Sequence, residues 1–147
     1  MADKNVLVFP TDFSTRSLDA LPWLRRMRDL MKAEIHVIYV VEEPQIYTTL
    51  DMGPVPMPST EELVSTARER LASFVGKSLG DLGTGATSAV VVGRPADEIV
   101  AYAREAGASM LIMTTHGYSG VKHMLLGSTT EAVLRQANCP VLSIRVS

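Results

Sequence analysis

The sequence predicts an α/β fold in which a parallel β-sheet carries helices on both faces. Short continuous apolar runs, typical of buried strands, alternate with apolar stripes spaced three and four residues apart, typical of helices. The resulting order, β-α-β-α-β-α-β-α-β, favours parallel strands joined by helical crossovers. The chain has 147 residues, of which 46% are hydrophobic, and shows no internal repeat or low-complexity segment. We therefore expect one domain spanning residues 1–147.

The first part of the chain predicts two strands separated by one helix. Val6–Phe9 is a continuous apolar run ended by Pro10, and Ile35–Val41 is rich in β-branched residues. Between them, Ser14 is a candidate N-cap for a helix with regularly spaced apolar residues. Pro22 lies inside that helical stripe, so we expect the helix to bend there.

The middle of the chain predicts a long loop, a helix and a third strand. Residues 42–58 contain four prolines and no helical period, which is typical of a long and often functional loop. Ser59 and Glu62 have the spacing of a capping box, which opens the second helix. A glycine-rich segment at residues 80–85 ends that helix, and Ala89–Val92 is the third predicted strand.

The last part of the chain predicts two helices and two strands. Pro95 is well placed at the first position of the third helix, and Met110–Met113 is the fourth strand. Ser128–Glu131 forms a second capping box, with Ser128 as the N-cap of a short helix that ends near Ala137. Pro140–Val146 is the last predicted strand.

Composition excludes several classes of protein. With 14 basic and 16 acidic residues, the chain lacks the basic footprint of a nucleic-acid binder, so we expect no nucleic-acid partner. No apolar run approaches the roughly 20 residues of a membrane helix, so we expect no membrane association. A single cysteine argues against a disulfide framework or a cysteine-rich metal site. The N-terminal segment lacks a signal-like apolar region, so we expect a cytoplasmic location.

Two loops and one helix start are candidates for a ligand site. Ligands of open α/β sheets bind beyond the carboxyl ends of the strands, and small polar residues concentrate in Pro10–Ser14 and Thr114–Gly120. If the first and fourth strands are neighbours, these loops face one crevice. The amides at the start of the helix after Gly127 favour an anion, and Gly127 lets a phosphate approach the backbone. The alternative interpretation is that Ser128 serves only as an N-cap.

Other chemistry is less favoured by the sequence. Asp12 either contacts a ligand or helps to cap the next helix. His116 could be a general base, but no orienting carboxylate is evident near it in sequence. The chain has no G-x-x-x-x-G-K-[ST] or G-x-S-x-G motif, and its histidines and Cys139 have no metal-binding spacing. We expect no catalytic residues.

The run Met113–Gly117, followed after nine residues by Gly127-Ser128, resembles the signature of the universal stress protein family. In the ATP-binding branch of that family the signature is G-x2-G-x9-G-[S/T], and here Thr114 replaces the first glycine. The segments VLVFPTDFS, VVVGRPADEIV and NCPVLSIRV are also similar to the family. The resemblance implies a Rossmann-like, adenine nucleotide alpha hydrolase-like fold with five parallel strands in the order 3-2-1-4-5. That order places the first and fourth strands side by side.

The resemblance also implies a nucleotide site. Asp12 matches the family acid near the adenosine, and Val40 matches the apolar residue that lines the adenine pocket. Gly117 and Gly127 match the second and third glycines of the signature. The nucleotide-binding residues expected on this basis are Pro10, Thr11, Asp12, Val40, Met113, Thr114, His116, Gly117, Gly120, Gly127, Ser128, Thr129 and Thr130.

The function implied by the resemblance is that of a sensor or signalling module in the stress response. Its ligand would be ATP, or AMP or ADP, with Mg²⁺ held through the phosphates. A homodimer would form by pairing of the last strands, Pro140–Val146. Two alternatives remain: a dimeric scaffold that binds no nucleotide because of Thr114, and a slow ATP hydrolase that uses His116 and Lys122.

Overall fold

The computed structural model describes residues 4–43, 58–115 and 126–146. The strands in these ranges are β1 (Val6–Pro10), β2 (Glu34–Val41), β3 (Ala86–Val92), β4 (Met110–Thr114) and β5 (Val141–Ile144). The α-helices are α1 (Leu21–Met31), α2 (Thr60–Leu79), α3 (Pro95–Glu105) and α4 (Ser128–Gln136). Two 3₁₀ helices, Thr15–Ala20 and Gly80–Gly85, precede α1 and follow α2. None of the described helices combines the length and apolar character needed to cross a bilayer.

The five strands form one parallel sheet in the order β3-β2-β1-β4-β5. The predicted fold class and strand order are therefore confirmed. β1 lies at the centre, where Leu7 is in register with Ile35 of β2 on one side and with Met110 of β4 on the other. Because the chain leaves β1 toward one edge and later returns to its other side, the strand order reverses between β1 and β4. The loops that follow these two strands therefore start side by side.

Each face of the sheet is covered by two helices. On one face Leu7 and Phe9 pack with Leu24 of α1 and Leu71 of α2. On the other face the alternate residues of the sheet, such as Val8, pack with α3 and α4. The period of two in β1 thus divides its side chains between two apolar cores, which explains why all four residues Val6–Phe9 are buried.

Pro22 was expected inside a helix, but in the structure it lies near the start of α1. The chain forms a 3₁₀ helix after Ser14, whose hydroxyl accepts a hydrogen bond from the Ser17 amide at 3.3 Å. α1 begins only at Leu21, so Pro22 lies in its first turn. The amides of a first turn have no partner within the helix, so a proline there removes no helical hydrogen bond.

The bounds of two strands differ from the prediction, whereas the predicted start of α2 is confirmed. β3 begins at Ala86, three residues before the apolar run. β5 covers Val141–Ile144, a shorter segment than predicted. The Ser59 hydroxyl accepts a hydrogen bond from the Glu62 amide at 3.1 Å, so Ser59 caps α2 as expected. Most of the predicted loop 42–58 lies outside the described residues.

Candidate functional site

A cavity of about 750 Å³ opens at the carboxyl end of the sheet. This volume falls in the range of about 300–1,000 Å³ that is usual for small-molecule sites. Residues from the ends of β1, β2 and β4, from α2 and α3, and from the first turn of α4 line it. The predicted site residues among its lining are Pro10, Thr11, Asp12, Val40, Met113, Thr114, Gly127, Ser128, Thr129 and Thr130. The other three, His116, Gly117 and Gly120, lie outside the described residues.

The turn after β1 is held by its own short polar side chains. Thr11 is buried, and its hydroxyl donates to the Ser17 hydroxyl at 3.2 Å. Asp12 accepts a hydrogen bond from the Ser14 amide through Oδ1 at 2.9 Å, so its carboxylate braces the residue that caps the 3₁₀ helix. Asp12 also lines the cavity. Asp12 therefore supports the cap of the 3₁₀ helix, and its contact with a ligand stays a prediction.

The first turn of α4 is tied to the end of β4. The buried Thr130 hydroxyl donates to the Thr114 carbonyl at 2.9 Å, and the Gly127 amide donates to the Thr115 carbonyl at 2.6 Å. Thr114 itself is a strand residue in register with Ile144 of β5. A strand backbone suits a β-branched side chain, so a threonine fits at the position of the first signature glycine.

The cap of α4 differs from the expected capping box. Gly127 is the N-cap, and Ser128 is the first helical residue, so the assignment of Ser128 as N-cap is wrong. The first hydrogen bond within the helix runs from the Glu131 amide to the Gly127 carbonyl at 3.0 Å. The amides of residues 128–130 precede that bond, and the helix dipole adds positive potential beside them. This end of α4 lines the cavity and suits an anionic group.

One wall of the cavity was not anticipated from the sequence. Phe13 has a left-handed backbone (φ 65°), and its ring stacks on Tyr39 with centroids 4.4 Å apart. The guanidinium of Arg70 lies over the Phe13 ring, 4.6 Å from its centroid. Glu62, Thr66 and Arg70 all line the cavity. Residues four apart in a helix lie on one face, so these three side chains share a face of α2. This spacing is the sequence feature from which the α2 wall could have been predicted.

His36, Tyr102 and Cys139 do not line the cavity. His36 Nδ1 is 2.9 Å from the Tyr102 hydroxyl, and burial raises the pKa of Tyr102. Burial also raises the pKa of the Cys139 thiol, which lies beside a smaller pocket of about 180 Å³. Within the described ranges, no three His, Cys, Asp or Glu side chains are grouped so that they could hold a metal ion.

The fold and the cavity define an open parallel α/β protein with a cavity where the strand order reverses. The model of the universal stress protein family matches residues 4–145, so the chain belongs to that family. It is similar to universal stress protein MJ0577 of Methanocaldococcus jannaschii, with 31% identity covering 95% of this chain and 93% of the relative. The solved structure of MJ0577 superposes with a TM-score of 0.72 and 29% identity over 99% of both chains.

Two further solved structures have the same fold. A universal stress protein in complex with cAMP has a TM-score of 0.72 and 22% identity, covering 99% of this chain and all of that chain. The universal stress protein of Archaeoglobus fulgidus in complex with dAMP has a TM-score of 0.67 and 20% identity. The match covers 98% of this chain and 99% of that chain.

Proposed function

We propose that the protein binds an adenine nucleotide, ATP or AMP or ADP, and acts as a sensor or signalling module in the stress response. The observation that carries the proposal is the cavity at the reversal of strand order, which gathers the described residues of the expected nucleotide site. The two structurally similar universal stress proteins that hold cAMP and dAMP support the choice of adenine nucleotides.

The proposed orientation follows from the chemistry of the lining. Adenine lies beside the apolar Val40 at the end of β2, and the ribose lies beside the Asp12 carboxylate. The phosphates lie over Gly127, Ser128 and Thr129, where the first amides of α4 offer hydrogen-bond donors. His116, Gly117 and Gly120 belong to the proposed site on the family signature alone. Mg²⁺ would accompany a di- or triphosphate through the phosphate oxygens and water, which is its usual mode of binding.

A homodimer is part of the proposal. β5 is an edge strand of the sheet, and an edge strand offers unpaired backbone groups to a second chain. We expect pairing through Pro140–Val146, and light scattering at micromolar concentration would give twice the monomer mass. A monomeric mass under those conditions would contradict the dimer. The cytoplasmic location stays a prediction.

The nucleotide proposal is tested first by the nucleotide content of the freshly purified protein and then by calorimetric titration with ATP and Mg²⁺. Gly127→Val places a branched side chain where the phosphates are expected. The backbone of Gly127 (φ −68°, ψ 159°) is one that valine adopts, so the variant should fold. The matched control is Gly80→Val, because a Cβ at Gly80 meets nothing within 4 Å and Gly80 does not line the cavity.

We expect the wild type and Gly80→Val to bind equally and Gly127→Val to bind at least about ten-fold more weakly, a loss of about 1.4 kcal/mol. Unchanged affinity in Gly127→Val would refute the phosphate position. A wild type that is empty and binds no nucleotide would refute the function and favour the scaffold alternative. Phosphate release during the same titration would reveal the slow hydrolase.

A further inference from the structure

Arg70 occupies a defined position on the α2 wall of the cavity. Its guanidinium lies over the Phe13 ring, 4.6 Å from the centroid. That ring is itself held, because it stacks on Tyr39 and meets Phe74 edge-on with centroids 6.0 Å apart. A guanidinium resting on an aromatic face is attracted to it and loses side-chain freedom before any ligand binds.

Arg70 has no carboxylate partner among the residues that the structure describes. The ion pairs of other arginines there are Arg25–Asp81, Arg28–Asp29 and Arg135–Glu131. Glu62 lies on the same helix and also lines the cavity. It is eight residues from Arg70, however, which is about 12 Å along a helix axis. The donor groups of Arg70 are therefore not neutralised by a carboxylate within the described part of the chain.

The charges around the cavity give Arg70 a particular role. Of the charged side chains in its described lining, Asp12, Glu42 and Glu62 are acidic and Arg70 alone is basic. α2 and α4 pack on opposite faces of the sheet, so Arg70 and the first turn of α4 flank the cavity from its two sides. An anionic group that lies across the strand ends would face the Arg70 guanidinium on one side and the free amides of α4 on the other.

We propose that Arg70 binds a phosphate of the ligand and makes the site select nucleotides over nucleosides. This inference rests on the proposed function. The planar guanidinium presents several donors in a fixed fork that matches two phosphate oxygens. Thr66, one turn earlier on the same face of α2, adds a hydroxyl to this side of the cavity. The contact with the Phe13 ring preorganises the Arg70 guanidinium, so less side-chain entropy is lost when the phosphate binds.

The test compares adenosine with AMP, because these ligands differ only in the phosphate. Both are titrated calorimetrically into the wild type, Arg70→Gln, Arg70→Lys and the control Arg68→Gln. Arg68 is an exposed residue of α2 that does not line the cavity. We expect Arg70→Gln to weaken AMP binding by about ten-fold or more, the size of a lost charge-assisted hydrogen bond. Adenosine binding should change less than about two-fold, within the error of such a comparison.

The remaining variants separate charge from geometry. Arg70→Lys keeps the charge and loses the fork, so its AMP affinity should lie between those of the wild type and Arg70→Gln. Arg68→Gln should bind both ligands as the wild type does. A wild type that binds neither ligand refutes this inference, whereas the proposed function fails only if the ATP titration described above also shows no binding. A wild type that binds both, with Arg70→Gln losing both equally or neither, refutes only the role of Arg70 toward phosphate.

Discussion

The hydrogen bond from Thr130 to the Thr114 carbonyl fastens the first turn of α4 to β4, and its contribution can be measured. Thr130→Val removes the donor while keeping the branched shape and a similar helix propensity. Thr130 is 4% exposed and its bond is 2.9 Å long, so water does not readily replace the lost donor. Such a bond contributes about 1 kcal/mol net. For a domain of this size, that loss lowers Tm by about 3 °C.

The assay is urea unfolding followed by circular dichroism, with a thermal scan of the same samples. Thr130→Ser keeps the hydroxyl and should retain the hydrogen bond. Thr129→Val is the matched control, because it makes the same chemical change at the adjacent, less buried position. The reasoning fails if Thr130→Val unfolds within about 0.3 kcal/mol of the wild type, or if Thr129→Val loses as much.

Two further predictions concern glycines and acid. Gly93→Ala should lower the free energy of unfolding by about 1–3 kcal/mol, because Gly93 has φ +149° and a Cβ there would lie 2.6 Å from Glu98 Oε1. Gly76 lies in the interior of α2, and a new Cβ there would meet nothing within 4 Å. Gly76→Ala should therefore raise the free energy of unfolding by about 0.5–1 kcal/mol. Urea unfolding that ranks the two variants in the opposite order would contradict this. The hydrogen bond from Arg25 lowers the pKa of Asp81 below 3.8, so the stability that Asp81 contributes is present above pH 3.8 and lost as the pH falls through its folded-state pKa. Asp81→Asn should therefore show a shallower loss of stability in acid than the wild type, and equal acid slopes in urea titrations would refute the linkage.

The central strands could be predicted from the sequence because burial on both faces leaves an unbroken apolar run. Val6–Phe9 and Met110–Met113 show this pattern and are strands in the structure. The start of β3 could not be found in this way. Thr87 and Ser88 are exposed on an edge strand, so the sheet includes them through backbone pairing with β2, which needs no apolar side chain.

The two sides of the cavity differed in how far they could be predicted. The side formed by the loops and by α4 follows from local features, namely small polar residues after strands and a glycine before a helix. The α2 wall depends on Phe13, Tyr39 and Arg70, which are far apart in the chain and meet only through the crossover between β1 and β2 and the packing of α2. The N-cap of α4 was predicted wrongly for another reason. Glycine and serine are both acceptable N-cap residues, so local preference does not choose between Gly127 and Ser128.

The central position of β1 has a consequence for how the protein is made. Of the five strands, β1 is synthesised first, and β2 can pair with one of its edges soon afterwards. Its other edge must wait for β4, which begins at residue 110. At about 5–20 residues per second, synthesis of the intervening chain takes several seconds. Throughout that time the nascent chain exposes an apolar strand with an unpaired edge, a surface on which chaperones act and chains aggregate. Solubility during synthesis should therefore depend on the polar segments that surround β1 in the nascent chain.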